Sequence, residues 1–303
     1  MTDSNERTQP GSDTGRPRIV VGVEDAPSAE IALRWAEVEG RIRGAEVHAT
    51  MAAGMPLAYY PLGWPTSSVD TQALLDGAVK HLDVIVERTA ERPEDVVRHV
   101  HIGSAAEVLI EAGRQADLLV VGTRGLHGVV RWLGSVSDQV VRHAPCPVAV
   151  IPETPAPSPS GAPMVVGVDG SPGSYAAVEW ALEEARFRKV PLRAVLVWAL
   201  FDQPHEGPDH FDPRYNEASA REFLAEQVEK AVGATSAAEI ELVTECDLAA
   251  AGLVRAADAA HAPLLVVGAR GLGGFKGLLL GSVSHKVLLT TSRPVVVVHR
   301  LPA

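Results

Sequence analysis

Cysteine is scarce. The chain of 303 residues carries two, Cys146 and Cys246, with no metal-ligand spacing between them. That excludes a disulfide framework and a zinc cluster, and both are read as reduced thiols, Cys146 structural at a strand start before Pro147. Basic residues are outnumbered, 27 Lys and Arg against 38 Asp and Glu, for a formal net charge of -11. An acidic surface repels a phosphate backbone, so nucleic acid is not expected as a partner. No apolar run reaches the ~20 residues of a membrane span. The opening "MTDSNERTQPGSDTGRPR" lacks the apolar stretch of a signal peptide. The expectation is a cytoplasmic protein with no membrane partner, residues 1–16 forming a disordered polar tail. Familiar phosphate motifs are missing too. There is no G-x-x-x-x-G-K-[ST], hence no P-loop, and no G-x-G-x-x-G after the first strand pattern, hence no Rossmann dinucleotide site.

What is there is one unit written twice. "RIVVGVEDAPSAEIALRWAEVE" (18–39) lines up with "PMVVGVDGSPGSYAAVEWALEE" (163–184). Gly22, Pro27 and Trp35 each stand 145 residues before Gly167, Pro172 and Trp180. "ADLLVVGTRG" (116–125) returns as "APLLVVGARG" (262–271), "LGSVS" (133–137) as "LGSVS" (280–284), and "CPVAVIP" (146–152) as "RPVVVVH" (293–299). Such order over the full length decides the architecture before any single element does. The chain therefore divides into a domain at 17–152, a Pro-rich semi-extended linker at 153–162, and a second domain at 163–303.

Each half alternates strand and helix patterns. "RIVVGV" is a short β-branched run suited to burial on both faces. Ile31, Trp35, Val38 and Ile42 then recur at helical spacing, and Trp35 and Trp180 are expected in the core. Leu75, Val79, Leu82 and Val86 mark a second helix, as Leu224, Val228 and Ala231 do in half two. The predicted fold class is α/β: two repeated doubly wound domains, each a five-stranded parallel sheet of order 3-2-1-4-5 with helices on both faces. The last strands, "CPVAVI" and "RPVVVVHR", are apolar and would be exposed edges. They are predicted to pair with each other as an intrachain pseudo-dimer, and a homodimer of chains stays open.

In such a sheet a ligand sits outside the carboxyl ends of strands one and four, where the winding reverses. In half two those ends read "VGVDGSPG", with Asp169 at the tip, and "VVGARGLGG". Glycines let backbone N–H groups approach an anion, and "GSVS" opens a helix whose dipole favours negative charge. Ser282 is read as its N-cap, and the hydroxyls of Ser282 and Ser284 as further donors. Arg270 and Lys276 stand close enough in sequence to assist, and Asp169 suits a ribose hydroxyl or an exocyclic amine. A plain strand-to-helix turn is the simpler reading of the loop, but its appearance at both equivalent strand ends argues against that. His99 and His101 share a strand face, yet no third metal ligand is legible beside them, so no metal site is expected.

The pattern Gly268-x2-Gly271-x9-Gly281-Ser282 after a "VGVDGS" tip resembles the universal stress protein family in its tandem form. The resemblance covers both halves. It implies that the glycines and the final Gly-Ser hold the phosphates of ATP, while the strand-one acid and the end of strand two touch the nucleoside. Carried over, half two would use Asp169, Val197, Gly268, Gly271, Gly281, Ser282, Val283 and Ser284, with Mg2+ held mainly by the phosphates. Half one departs: Glu24 replaces Asp169, Asp25 and Ala26 replace Gly170 and Ser171, and eight residues rather than nine separate Gly125 from Gly134. It is expected to bind more weakly or differently, through Glu24, Gly122, Gly125, Gly134, Ser135, Val136 and Ser137.

The resemblance implies a nucleotide-dependent regulator of stress response or growth arrest, with protein partners unknown. The alternatives are an interaction module that has lost the ligand in one or both halves, and a slow ATPase. No catalytic residue is assigned, since neither a base nor a metal-holding acid is legible beside the glycines.

Overall fold

The computed structural model describes residues 7–8, 15–54, 71–123, 133–198, 217–272 and 279–299. Its contacts divide the chain into two compact units: Met1–Thr123 with Gly134–Cys146, and Arg124–Leu133 with Pro147–Ala303.

In the first unit, β1 (Arg18–Gly22), β2 (Glu46–Ala53), β3 (Val96–Ile102) and β4 (Leu118–Gly122) form a parallel sheet of order β3-β2-β1-β4. The helices are α1 (Pro27–Arg43), α2 (Thr71–Thr89), α3 (Ala105–Ala112) and α4 (Ser135–His143). Ile19, Val21, Leu118, Leu119 and Val120 are fully buried, as strands covered on both faces require. A two-residue strand, Arg7–Thr8, pairs antiparallel with β3 at His99 and Val100, where the sequence predicts no structure.

The second unit repeats the plan with β6 (Met164–Gly167), β7 (Leu192–Trp198), β8 (Ile240–Cys246), β9 (Leu265–Gly268) and β10 (Val295–Val298). Their parallel order, β8-β7-β6-β9-β10, is the predicted 3-2-1-4-5. Its helices are α5 (Pro172–Arg188), α6 (Glu217–Ala237, broken by non-helical Gly233), α7 (Ala249–Ala259) and α8 (Ser282–Thr290). This unit also takes in β5 (Val148–Ile151), the last strand of the first sequence half, which pairs antiparallel with β10. Val148, Ala149 and Val150 stand opposite Val297, Val296 and Val295. The two apolar edge strands therefore cover one another, as their lack of charge demands.

The helical stripe read for α1 is out of phase. Val38 is 46% exposed, and Ile31, Trp35 and Ile42 are half-buried. The buried face is Ala29, Ala32, Leu33, Ala36 and Gly40 instead. Small residues let the helix lie close on the sheet: a Cβ on Gly40 would come within 2.7 Å of Val47. Trp35 and Trp180 accordingly flank the core rather than fill it. Each half also buries a carboxylate in this helix, paired one turn on with an arginine: Glu39 with Arg43, and Glu184 with Arg188.

The linker is strapped to the second unit. Ala156 N–H donates to Ser292 O (2.8 Å), and the Ser158 hydroxyl donates to His261 O (2.7 Å). Arg293, 4% exposed, donates to Pro157 O (2.8 Å), to Ala262 O (3.4 Å) and to the Asp258 carboxylate (3.0 Å). No helix among the described residues is long and apolar enough to cross a membrane.

Candidate functional site

In the second domain the tips of β6 and β9 meet at the switch point. Ser171 caps α5: its Oγ accepts the Ser174 N–H at 3.1 Å, and Pro172 follows as the first helical residue. The same hydroxyl lies 3.2 Å from Arg270 O and donates to it. Asp169 accepts the Ser171 N–H through Oδ1 (2.9 Å) and the Leu272 N–H through Oδ2 (3.2 Å). A Cβ on Gly268 would sit 2.6 Å from the Gly173 carbonyl carbon, and one on Gly271 would sit 2.2 Å from Asp169 Oδ2. The acid expected on one side of a crevice and the glycine loop expected on the other are thus in direct contact.

From the β9 tip the chain reaches α8. Ala269 N–H donates to Val298 O (2.8 Å), and Gly281 N–H donates back to Ala269 O (2.7 Å). The N-cap of α8 is Gly281, not Ser282, and no side chain caps it. The first intrahelical bond is His285 N–H to Gly281 O. The amides of Ser282, Val283 and Ser284 precede it and have no intrahelical acceptor, so they stand at the positive end of the helix dipole. Ser282 and Val283 are exposed there. The Ser284 hydroxyl is buried and donates to Gly268 O at 2.7 Å, tying α8 to the end of β9. A groove of ≈ 640 Å³ between α7 and α8 adjoins this end, lined by Leu248, Ala251, Val254, Val283 and Lys286 among others. Val197, next to last in β7, packs its side chain against Gly252 of α7, where a Cβ would lie 2.7 Å from it. Arg270 is exposed beside the loop, and Lys276 lies outside the described residues.

The first domain shares the frame and not the detail. Ser137 donates to Gly122 O (2.8 Å) as Ser284 does to Gly268, so it too is a structural tie. Gly134 caps α4 without a side chain, leaving the amides of Ser135, Val136 and Ser137 at the helix end. A Cβ on Gly122 would meet Ser28 O at 2.6 Å. Ala26, in place of Ser171, makes no side-chain cap for α1. Asp25 does not stand in for Asp169. It is exposed and turned toward α2, 3.5 Å from Arg88 and 3.8 Å from His81. Glu24 is exposed, and Gly125 lies outside the described residues. The first turn of α4 carries Asp138, paired with Arg142 at 2.8 Å, where α8 has His285 and no acid. That carboxylate opposes an anion at the α4 end and not at the α8 end.

Sequence reasoning missed one cluster. His48 of β2 lies beside His99 of β3, with Nδ1 and Nε2 2.8 Å apart. Ring centres 5.0 Å apart in planes 4° apart place the two rings end to end, joined by one N–H···N bond. His101 follows at 6.2 Å from His99. The signal was strand register: Thr50 pairs with His99, which puts His48 on the same face two residues back. The two bonded nitrogens are spent on each other rather than turned to a common centre. Among the described residues no group of three or more His, Cys, Asp or Glu could hold a metal ion.

Burial, then the neighbouring His48, His101 and Arg18, lowers the His99 pKa from 6.5 to about 4; burial and Arg18 lower that of His48. The unfolded chain therefore binds more protons between pH 6.5 and about 4, so stability is full above 6.5 and falls as the pH drops toward 4. With His99 part-exposed, screening reduces the loss to about 1–2 kcal/mol. Thermal melts at pH 7 and pH 4.5 should show a fall that His99→Gln largely removes; equal falls in both proteins would contradict it. The Cys146 thiol, buried and close to Asp117, is pushed up to about 12 and is inert at neutral pH.

The comparisons with known proteins agree with this frame. The model of the universal stress protein family matches residues 15–152 and again 162–299. Universal stress protein Rv2623 of Mycobacterium tuberculosis is 34% identical over 295 residues, covering 92% of this chain and 95% of the relative. Universal stress protein Rv1996 of the same organism is 33% identical over 305 residues, covering 94% of this chain and 95% of the relative. A crystal structure of a universal stress protein from Archaeoglobus fulgidus superposes with a TM-score of 0.66 over 93% of this chain and 96% of that one; at 17% identity it speaks for the fold alone. Two matches of one family model, in a chain whose two halves repeat one sheet order, lead to a single assignment: this chain belongs to the universal stress protein family and carries two of its domains in tandem.

Proposed function

We propose that the second domain binds ATP and that the protein acts as a nucleotide-dependent regulator. The observation that carries this reading is the α8 N-terminus, whose N-cap is a glycine with no side chain to fill it and which is reached from β9 through glycines at 268, 271 and 281. A triphosphate is what such an end receives: backbone amides and a helix dipole, without an acid in the first turn. The apolar α7–α8 groove beside it favours an anion with an organic body over free phosphate. In this reading Mg2+ rides on the phosphates, as hard cations with few protein ligands do. The first domain, with Glu24, Ala26 and Asp138 at the matching points, is the weaker site or an empty partner.

The test is Ser282→Asp. Ser282 is the exposed first residue of α8, so a carboxylate there complements the helix dipole and is expected to hold or raise the melting temperature. The same carboxylate faces the phosphates. Calorimetric titration of nucleotide-stripped protein with Mg-ATP should show one strong site per chain in the native protein and about tenfold or greater weakening in the variant, a difference of ~1.4 kcal/mol. Equal affinity in the two proteins would remove α8 from the site. A native protein that neither releases nucleotide on denaturation nor binds it on titration leaves an interaction module as the function.

A further inference from the structure

The Asp169 carboxylate does something the anion-binding reading of the loop does not require. It sits on the loop itself. Its Oδ2 accepts the Leu272 N–H, 103 residues away in sequence, while the Ser171 hydroxyl holds Arg270 O from the other side. Gly271 has room for nothing larger than hydrogen because that carboxylate is packed against it. An amide in a glycine-rich loop is an anion seeker, and here the anion it holds belongs to the protein.

We propose that the nucleotide site of the second domain carries an internal competitor: Asp169, seconded by Ser171, latches the β9 loop onto the β6 tip, and a polyphosphate enters by displacing it. This rests on the reading of the second domain as a nucleotide site. Two physical consequences follow from the contacts. An incoming phosphate meets a like charge at the loop, so the carboxylate must swing away from Leu272 before the loop amides can turn to the ligand. The apparent affinity is then the intrinsic one reduced by the fraction of molecules with the latch open. Freed from the loop, the carboxylate is an acceptor available to a ribose hydroxyl, which makes release of the latch selective for nucleotides over bare polyphosphate. In the first domain Ala26 replaces Ser171, and Asp25 is engaged with Arg88 and His81, so neither of these two residues repeats the contacts of the second.

The experiment has two arms on the full chain. In the first, amide hydrogen exchange at Leu272 is followed in phosphate-free buffer without nucleotide. The latch predicts exchange at least tenfold slower in the native protein than in Asp169→Ala; equal rates overturn it whatever the binding data say. The second arm uses Ser171→Ala, which cuts the Arg270 tie without changing any charge. Its binding of inorganic tripolyphosphate should be about three- to tenfold tighter than that of the native protein, with faster association. Ser171→Ala also uncaps α5, so its melting curve is recorded alongside, and a folded variant with unchanged or weaker affinity overturns the competition. If neither protein binds tripolyphosphate or ATP, the nucleotide reading falls and the competition with it, while the exchange arm still decides whether Asp169 holds the loop.

Discussion

Alanine at Gly268 is expected to lower the melting temperature of the second domain by roughly 5–10 °C and to abolish nucleotide binding. The added Cβ would lie 2.6 Å from the Gly173 carbonyl carbon, 2.7 Å from its oxygen and 3.0 Å from Ser174 N. All three are backbone atoms at the start of α5, so no side chain can swing aside. Either β9 or α5 must shift, at the 2–3 kcal/mol typical of overpacking a well-filled core, or about 2–4 °C per kcal/mol in a domain of this size. The shift also displaces the β9 tip from which the chain departs toward α8, so the backbone amides no longer converge on the ligand. Gly281→Ala is the control. Its Cβ would meet nothing closer than Ala269 O at 3.4 Å, and it should cost under ~1 kcal/mol. Calorimetric scans of both variants decide the matter; a Gly268→Ala melt within about 2 °C of native would show that the two tips can part freely.

Arg293→Ala should cost about 2–4 kcal/mol, seen as a fall of roughly 6–12 °C in the melting of the second domain. The guanidinium is 4% exposed and is the donor to Pro157 O and Ala262 O. Removing it leaves those carbonyls without their donor and opens a hole the size of an arginine stem. Asp258, with a side chain 47% exposed, rehydrates and contributes little to the loss. Because Arg293 is what grips the linker backbone, the same substitution should make the chain between Ala156 and Ser158 sensitive to limited proteolysis. Arg293→Met separates the two effects: it restores the packing of the stem but not the donors, so its melting should recover in part while cleavage persists. Unchanged melting and unchanged cleavage in Arg293→Ala would mean that the strap holds by Ala156 and Ser158 alone.

The repeat made the architecture legible. Strand runs such as "LLVVG" are buried on both faces and hardly distinguishable from anything else, and the same order of segments occurring twice fixed what each must be. The phase of α1 was not legible, because the buried face is mostly alanine and glycine, with Leu33 its one large apolar residue, and a periodicity count looks for several. The meeting of the β6 and β9 tips at the switch point was legible, but several residues there are needed by the fold itself. Gly268 and Gly122 looked like glycines kept for a phosphate. Both stand where a strand tip crosses the start of a helix with no room for a Cβ, so either would be glycine in a protein with no ligand at all. Ser284 and Ser137 looked like donors to the phosphate and instead close the strand ends. The contact of Asp169 with Leu272, made across 103 residues of sequence, leaves no trace in spacing. The His48–His99 bond was hidden for the same reason, since only the pairing of β2 with β3 brings the rings together.

The pairing of β5 with β10 bears on how the protein can be taken apart. A recombinant fragment beginning at the linker would carry the whole of the second family match, 162–299, and still strip Val148–Ile151 from its neighbour. Four consecutive valines would then present bare amides and carbonyls to solvent, a ready template for a second copy and for precipitation. Cutting before Pro147 keeps the strand and its shield, so the natural seam for excision lies ahead of the proline-rich stretch rather than inside it.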